Sequence, residues 1–142
     1  MGDLISVASL FNYLPELPEA LQKAVSEVVR KAAFDIQANA MNAHPFQNQT
    51  GFAEASIYVV THDSSTYGQG VDQIPSGATL LPEVDKPASP TVAYVAWGAS
   101  YGVYLELGTR NMPAFPTLAP AAELVRPAYL AALEAIEGSI EL

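Results

Sequence analysis

Two short runs, Ile57-Tyr58-Val59-Val60-Thr61 and Val92-Ala93-Tyr94-Val95-Ala96-Trp97, are rich in β-branched and aromatic residues and apolar at almost every position. Both predict strands. Successive side chains of a strand point to opposite faces, so strands of this kind need cover on both sides. Helices of the same chain can cover one face; the other needs more of this chain or a neighbouring subunit. Half of the 142 residues are apolar and 15% are charged, against roughly 25% charged in an ordinary soluble domain. Charge is therefore scarce where apolar surface must be kept in water, which points to an obligate oligomer.

Helices flank the strands. From about Pro18 to Asn42, Leu21, Val25, Val28, Ala32, Ile36 and Ala40 recur at helical spacing, with Lys23, Glu27, Arg30, Lys31 and Gln37 off the stripe. Pro18 suits a first helical position and Pro45 forbids extension past His44. A short turn of helix follows Thr50, a candidate cap. Tyr101 to Leu107 predicts a two-turn helix stopped by Gly108, which suits a C-terminal position of positive φ. Pro113, Pro116 and Pro120 then impose an extended path. A last helix starts near Leu118, buries Val125, Tyr129, Ala132, Leu133 and Ile136, bends at Pro127 and ends near Gly138. Between the strands lies Asp63 to Pro90, with Pro75, Pro82, Pro87 and Pro90; loops beyond roughly 12 to 15 residues are usually functional or disordered. Ile74 and Leu80-Leu81 suggest an added strand or a docking arm there. The fold expected is α+β: one domain over residues 1–142, a long N-terminal and a C-terminal helix packed on a small, mostly antiparallel sheet, and a Pro/Gly-rich loop or arm at about 63–90.

Charge and residue types exclude much. The net charge of −9 works against DNA or anionic lipid as a tightly held partner. With no Cys there is no disulfide framework, thiol nucleophile or thiolate metal site. Met1 to Phe11 lacks the basic start of a signal peptide, and no apolar run reaches the ~18 residues of a membrane span, so a soluble protein is expected. His62-Asp63-Ser64 lists triad residue types, but neighbours on a strand point apart whereas a triad converges in space. No metal-binding spacing occurs, and Gly68-Gln69-Gly70 lacks the Lys and helix of a phosphate loop. No cofactor or metal is expected. No Lys or Arg occurs from Ala32 through Asp85, a stretch that holds Asp72, Glu83 and Asp85.

One segment is more specific. Tyr101, Tyr104, Glu106, Gly108 and Thr109, followed by Met112-Pro113-Ala114, Pro116, Leu118 and Pro120-Ala121, resembles the Tyr…Tyr-x-Glu-x-Gly-Thr…Met-Pro-Ala-x-Pro-x-Leu-x-Pro-Ala signature of the gene-ten-product-like tail-component family of long-tailed bacteriophages. Thr50-Gly51…Ser56-Ile57 is similar to that family's Thr-Gly-x-Leu-x-x-Ser-Ile element. Order and spacing agree over residues 15–137. Phe52 and Ala53 stand where the family tends to have Arg and Leu, and Phe115, Thr117 and Ala119 replace Arg, Phe and Arg, so the surface here is less basic.

The resemblance implies a non-enzymatic virion protein. It would form a homo-oligomeric ring, a hexamer being one candidate, at the head–tail junction as neck, tail-completion or tail-terminator component. Assembly in the host cytoplasm, contacts with head-closure or connector and tail-tube proteins, passage of DNA without specific binding, and no membrane are implied with it. Ring neighbours would then cover the apolar strand faces. Tyr101, Tyr104, Glu106, Gly108, Thr109, Pro113, Pro116 and Pro120 become candidates for structural or intersubunit contacts, and Asp72, Glu83 and Asp85 for a channel-facing loop. A solvent-facing carboxylate is the competing reading of Glu106, and core aromatics that of Tyr101 and Tyr104. From another class, the alternative is a small-molecule-binding or hydrolytic domain using His62, Asp63 and Glu106.

Overall fold

A computed structural model describes residues 19–44 and 51–139; Pro18, Pro45 and Thr50 lie outside the described residues, and the N-cap of the helix after Thr50 is Gly51 at φ 76°, not the expected Thr50. Helix α1, Glu19–Asn42, comes first, then a four-residue helix α2, Phe52–Ala55, and strand β1, Tyr58–Val60. Strand β2, Tyr94–Ala96, helix α3, Gly102–Leu107, and helix α4, Leu118–Ser139, complete the order. The architecture is α+β: two long helices with a small antiparallel sheet.

The core follows from α1. It packs most extensively along α4 and also meets both strands and α2. Its buried residues are Val25, Val29, Ala32, Ala33, Ile36 and Ala40. The expected stripe held Val28 in place of Val29 and left out Ala33. A helix with neighbours on two flanks buries a wider arc than one apolar stripe, and Val28 is only half-buried at its margin. Alanines at this face and at Ala121 and Ala122 of α4 allow close approach of the two helices. In α4, Leu118, Val125, Tyr129 and Leu133 are also buried, while Ala132 and Ile136 are half-buried. The helix runs on through Pro127, which is exposed, so the carbonyl that loses its intrahelical donor faces water.

β1 and β2 pair antiparallel with Tyr58 opposite Ala96, Val59 opposite Val95 and Val60 opposite Tyr94. Both strands are shorter than the apolar runs that predict them. At one end Gln37 Nε2 donates to the Ile57 carbonyl at 3.0 Å. At the other, Thr61 turns away into a local network, its N–H donating to the Ser64 carbonyl at 2.8 Å.

All three β1 residues are buried. Ile57 and Val59 face the helical core. Tyr58 and Val60, on the opposite face, are covered by the segment that links the strands. The Tyr67 ring meets Tyr58 edge-on at 5.0 Å, the Val84 N–H donates to the Tyr58 hydroxyl at 3.1 Å, and Val60 forms a β-bridge with Ser65. For β1 the second cover therefore comes from this chain and not from a ring neighbour; on β2 the same face, Tyr94 and Ala96, is half-buried. Leu80 makes a bridge with Ala99, flanked by Leu81 N–H to Gly98 O at 2.7 Å and Ser100 N–H to Thr79 O at 2.9 Å.

Candidate assembly surface

Glu106 sits on α3 with 7% of its surface exposed. Its Oε1 accepts from the Leu118 N–H at 2.9 Å and from Trp97 Nε1 at 3.2 Å. The Ala119 N–H donates to Oε2 at 3.2 Å, and the Thr117 N–H lies 3.2 Å from both oxygens. The first turn of a helix has N–H groups without intrahelical partners and a partial positive charge. In α4 the carboxylate takes these donors, Pro120 has none to offer, and the Ala121 N–H begins the regular ladder by donating to Thr117 O. A buried carboxylate is costly unless hydrogen-bonded; Glu106 meets that condition and is not a solvent-facing acid. Its role is to fasten α3 and Trp97 to the start of α4.

Gly108 ends α3 at φ 78° and ψ 173°. A Cβ there would lie 2.8 Å from the Ala114 nitrogen and 3.0 Å from the Met112 carbonyl oxygen, so both conformation and space require glycine. Thr109 and Met112 then pair across a tight turn, Thr109 N–H to Met112 O at 2.9 Å, with the Asn111 N–H donating to Thr109 Oγ1 at 3.3 Å. Past the exposed Pro113, the Phe115 N–H returns to the Leu105 carbonyl at 2.6 Å. Pro116, also exposed, leads the chain to Thr117 and the Glu106 carboxylate.

The two sequence elements behind the family resemblance meet here. Ser56, 1% exposed, donates through Oγ to Ala53 O at 2.7 Å and accepts from the Ala99 N–H at 2.9 Å, while its carbonyl takes the Gly98 N–H at 3.0 Å. The Phe52 and Tyr101 rings lie 6.0 Å apart. Burial raises the Tyr101 pKa, opposed in part by a hydrogen bond with the Ala53 backbone. Trp97 lies between the elements; Gly102 packs on its indole so closely that a Cβ would fall 2.5 Å from Cγ. Ser56 belongs to the Thr50–Ile57 element of the resemblance, but its bonds, like the roles of Trp97 and Gly102, escape sequence reasoning because the partners are distant in the chain.

The outer side of α3 reverses the usual pattern. The acid points inward, while Val103 is 38%, Tyr104 54% and Leu107 64% exposed. Tyr101 is a half-buried core aromatic and Tyr104 is not.

Asp72, Glu83 and Asp85 are all exposed on the strand-to-strand segment, with Glu83 accepting from Ser65 Oγ. His62 and Asp63 line a cleft of about 60 Å³ beside Arg30 and Thr61. His62 Nδ1 lies 3.1 Å from Pro87 O and Asp63 Oδ1 3.5 Å from Arg30. Glu106 is not in that cleft's walls, so the residues of the hydrolytic alternative do not form one site. Among the described residues no cluster of three or more His, Asp or Glu is placed to hold a metal ion, and no helix is long and apolar enough to cross a membrane.

Comparisons with protein families, curated proteins and solved structures found no match to this chain.

Proposed function

We propose that this chain is a non-enzymatic virion structural protein of a long-tailed bacteriophage. It acts as one subunit of a homo-oligomeric ring at the head–tail junction, in the neck, as tail-completion or as tail-terminator protein, through which DNA passes unbound. The observation that carries this reading is α3, a helix whose one carboxylate is buried while three of its four large apolar residues, Val103, Tyr104 and Leu107, face water. An exposed apolar patch on a rigid base is what a subunit interface requires. The signature residues have the matching role: Glu106 bonds α3 to the start of α4 and Gly108 permits the turn between them, so the patch is presented in fixed orientation. The acidic surface of the strand-to-strand segment suits a pore that must not retain a polyanion.

Native mass measurement of the full chain, alone and with tail-tube and connector proteins, tests the reading. A closed ring, free or on its neighbours, is expected. A chain that stays monomeric in all these mixtures overturns it.

A further inference from the structure

With ~3.6 residues per turn, Gly102, Leu105 and Glu106 share one side of α3, and Val103, Tyr104 and Leu107 form a ridge on the other. Arg110 follows in the exposed turn beyond Gly108. A groove of about 480 Å³ lies between α2 and the strand-to-strand segment, walled by Phe52, Ala55, Val71, Ile74 and Asp72 among others. Ile74 is 49% exposed at its edge, and Asp72 is exposed.

We propose that the α3 ridge of one copy seats in the Phe52–Ile74 groove of the next copy, with Arg110 of the first against Asp72 of the second. The inference rests on the ring-subunit reading and names the contact that builds the ring. Charge complementarity argues for it. A chain of net charge −9 repels its own copies unless a base meets an acid at the contact. Arg30, Lys31 and Arg126 pair within the chain with Asp63, Asp35 and Glu123. Lys23, Lys86 and Arg110 have no ionic partner among the described residues, and of these Arg110 alone adjoins the apolar ridge. The groove offers the matching acid, Asp72, beside apolar walls. The two patches differ, one convex and basic at its end, the other concave and acidic. When ridge and groove of one copy engage two different neighbours the contact is head-to-tail, and it makes rings when the rotation closes. The Phe52–Tyr101 ring contact ties groove and ridge to one rigid base.

The absence of Cys allows a clean test. The single variants Leu107→Cys and Ile74→Cys, both at exposed positions, are mixed and oxidised. The cross-link expected joins unlike variants, and the chain carrying both cysteines is expected to link into multimers larger than dimers; pairs of like variants alone, or dimers alone from the doubly substituted chain, would mean a two-fold contact and overturn the proposal. Arg110→Asp and Asp72→Arg are each expected to weaken assembly at least about tenfold, and the chain carrying both substitutions to recover it. Unfolding midpoints of the variants check that the fold is kept. Rings by native mass without the 107–74 cross-link, or without recovery by the double substitution, overturn this contact and leave the ring reading standing. A chain monomeric alone and with tube and connector proteins overturns both.

Discussion

Tyr129 is 3% exposed, and its hydroxyl is the one buried side-chain polar atom among the described residues that lacks a hydrogen-bond partner. Burial pushes its pKa from 10.0 up to about 12. Because the folded state holds this proton more tightly than the unfolded state, the contribution is complete below pH ~10 and is lost as pH rises toward 12. Tyr129→Phe removes an unsatisfied donor and is expected to stabilise the protein by about 1 kcal/mol at neutral pH. It should also flatten the loss of stability at high pH; urea unfolding at neutral pH and across pH 9 to 12 checks both. Gly108 is constrained in another way. Its φ and ψ lie where other residues are strained by about 1–3 kcal/mol, and a Cβ would fall 2.8 Å from a backbone nitrogen. Gly108→Ala is expected to cost about 3 kcal/mol or more. Gly138→Ala, in open helical surroundings, is expected to be neutral or to gain up to about 1 kcal/mol. Equal unfolding midpoints for the two variants would contradict this.

At the scale of elements, the decisive junction is between α3 and α4. Without Glu106, the Trp97 indole N–H and three backbone N–H groups at the start of α4 lose their acceptor in a buried place. Glu106→Ala is therefore expected to cost about 3 kcal/mol. Glu106→Gln is expected to cost less, since a carbonyl oxygen at the Oε1 position keeps the Leu118, Trp97 and Thr117 donors while its amide nitrogen faces the Ala119 N–H. Glu123→Ala, on the exposed side of α4, should stay within about 0.5 kcal/mol of the parent. Denaturant unfolding reads the three variants, and hydrogen exchange at Thr117, Leu118 and Ala119 shows whether the loss begins at this end of α4. The same junction explains the length of the motif: Glu106 and its backbone donors are separated by a turn that only Gly108 can start and a proline-bearing return that only α4 can end.

At the scale of the whole molecule, the outer face of β1 is closed by the chain's own connecting segment, while Tyr94 and Ala96 of β2 stay half-buried. Among the described residues the most exposed large apolar side chains are Leu124 on α4, Leu107 and Tyr104 on α3, and Ile74 on the connecting segment. The acidic excess remains outside, with Glu83 and Asp85 exposed on the connecting segment. The protein is expected to show no measurable affinity for duplex DNA at physiological salt. Replacing Glu83 and Asp85 together by Lys should create weak binding that falls steeply with added salt. Fluorescence anisotropy over a salt series measures this, and Asp72 is left intact so that assembly is unaffected. Binding by the unmodified protein would contradict a passive channel lining.

Apolar periodicity made α1 and α4 legible in the sequence, with Pro120 in the first turn of α4, because helical spacing and first-turn preferences act within a few residues of themselves. The same local rules placed β1 and β2, and the stop at Gly108. They did not reach the roles of Glu106, Ser56 and Trp97, each of which is set by partners many residues away. A carboxylate on a short helix reads the same whether it faces water or caps another helix. Only packing α3 beside the start of α4 decides that it is buried and bonded. Nor could alternation in β1 say who covers Tyr58 and Val60, since a neighbouring subunit and a folded-back segment present the same apolar demand. The Tyr67 ring, the Val84 amide and the Ser65 bridge supply that cover from within the chain. Burial is a property of three-dimensional neighbours, and the sequence states only which residues need them.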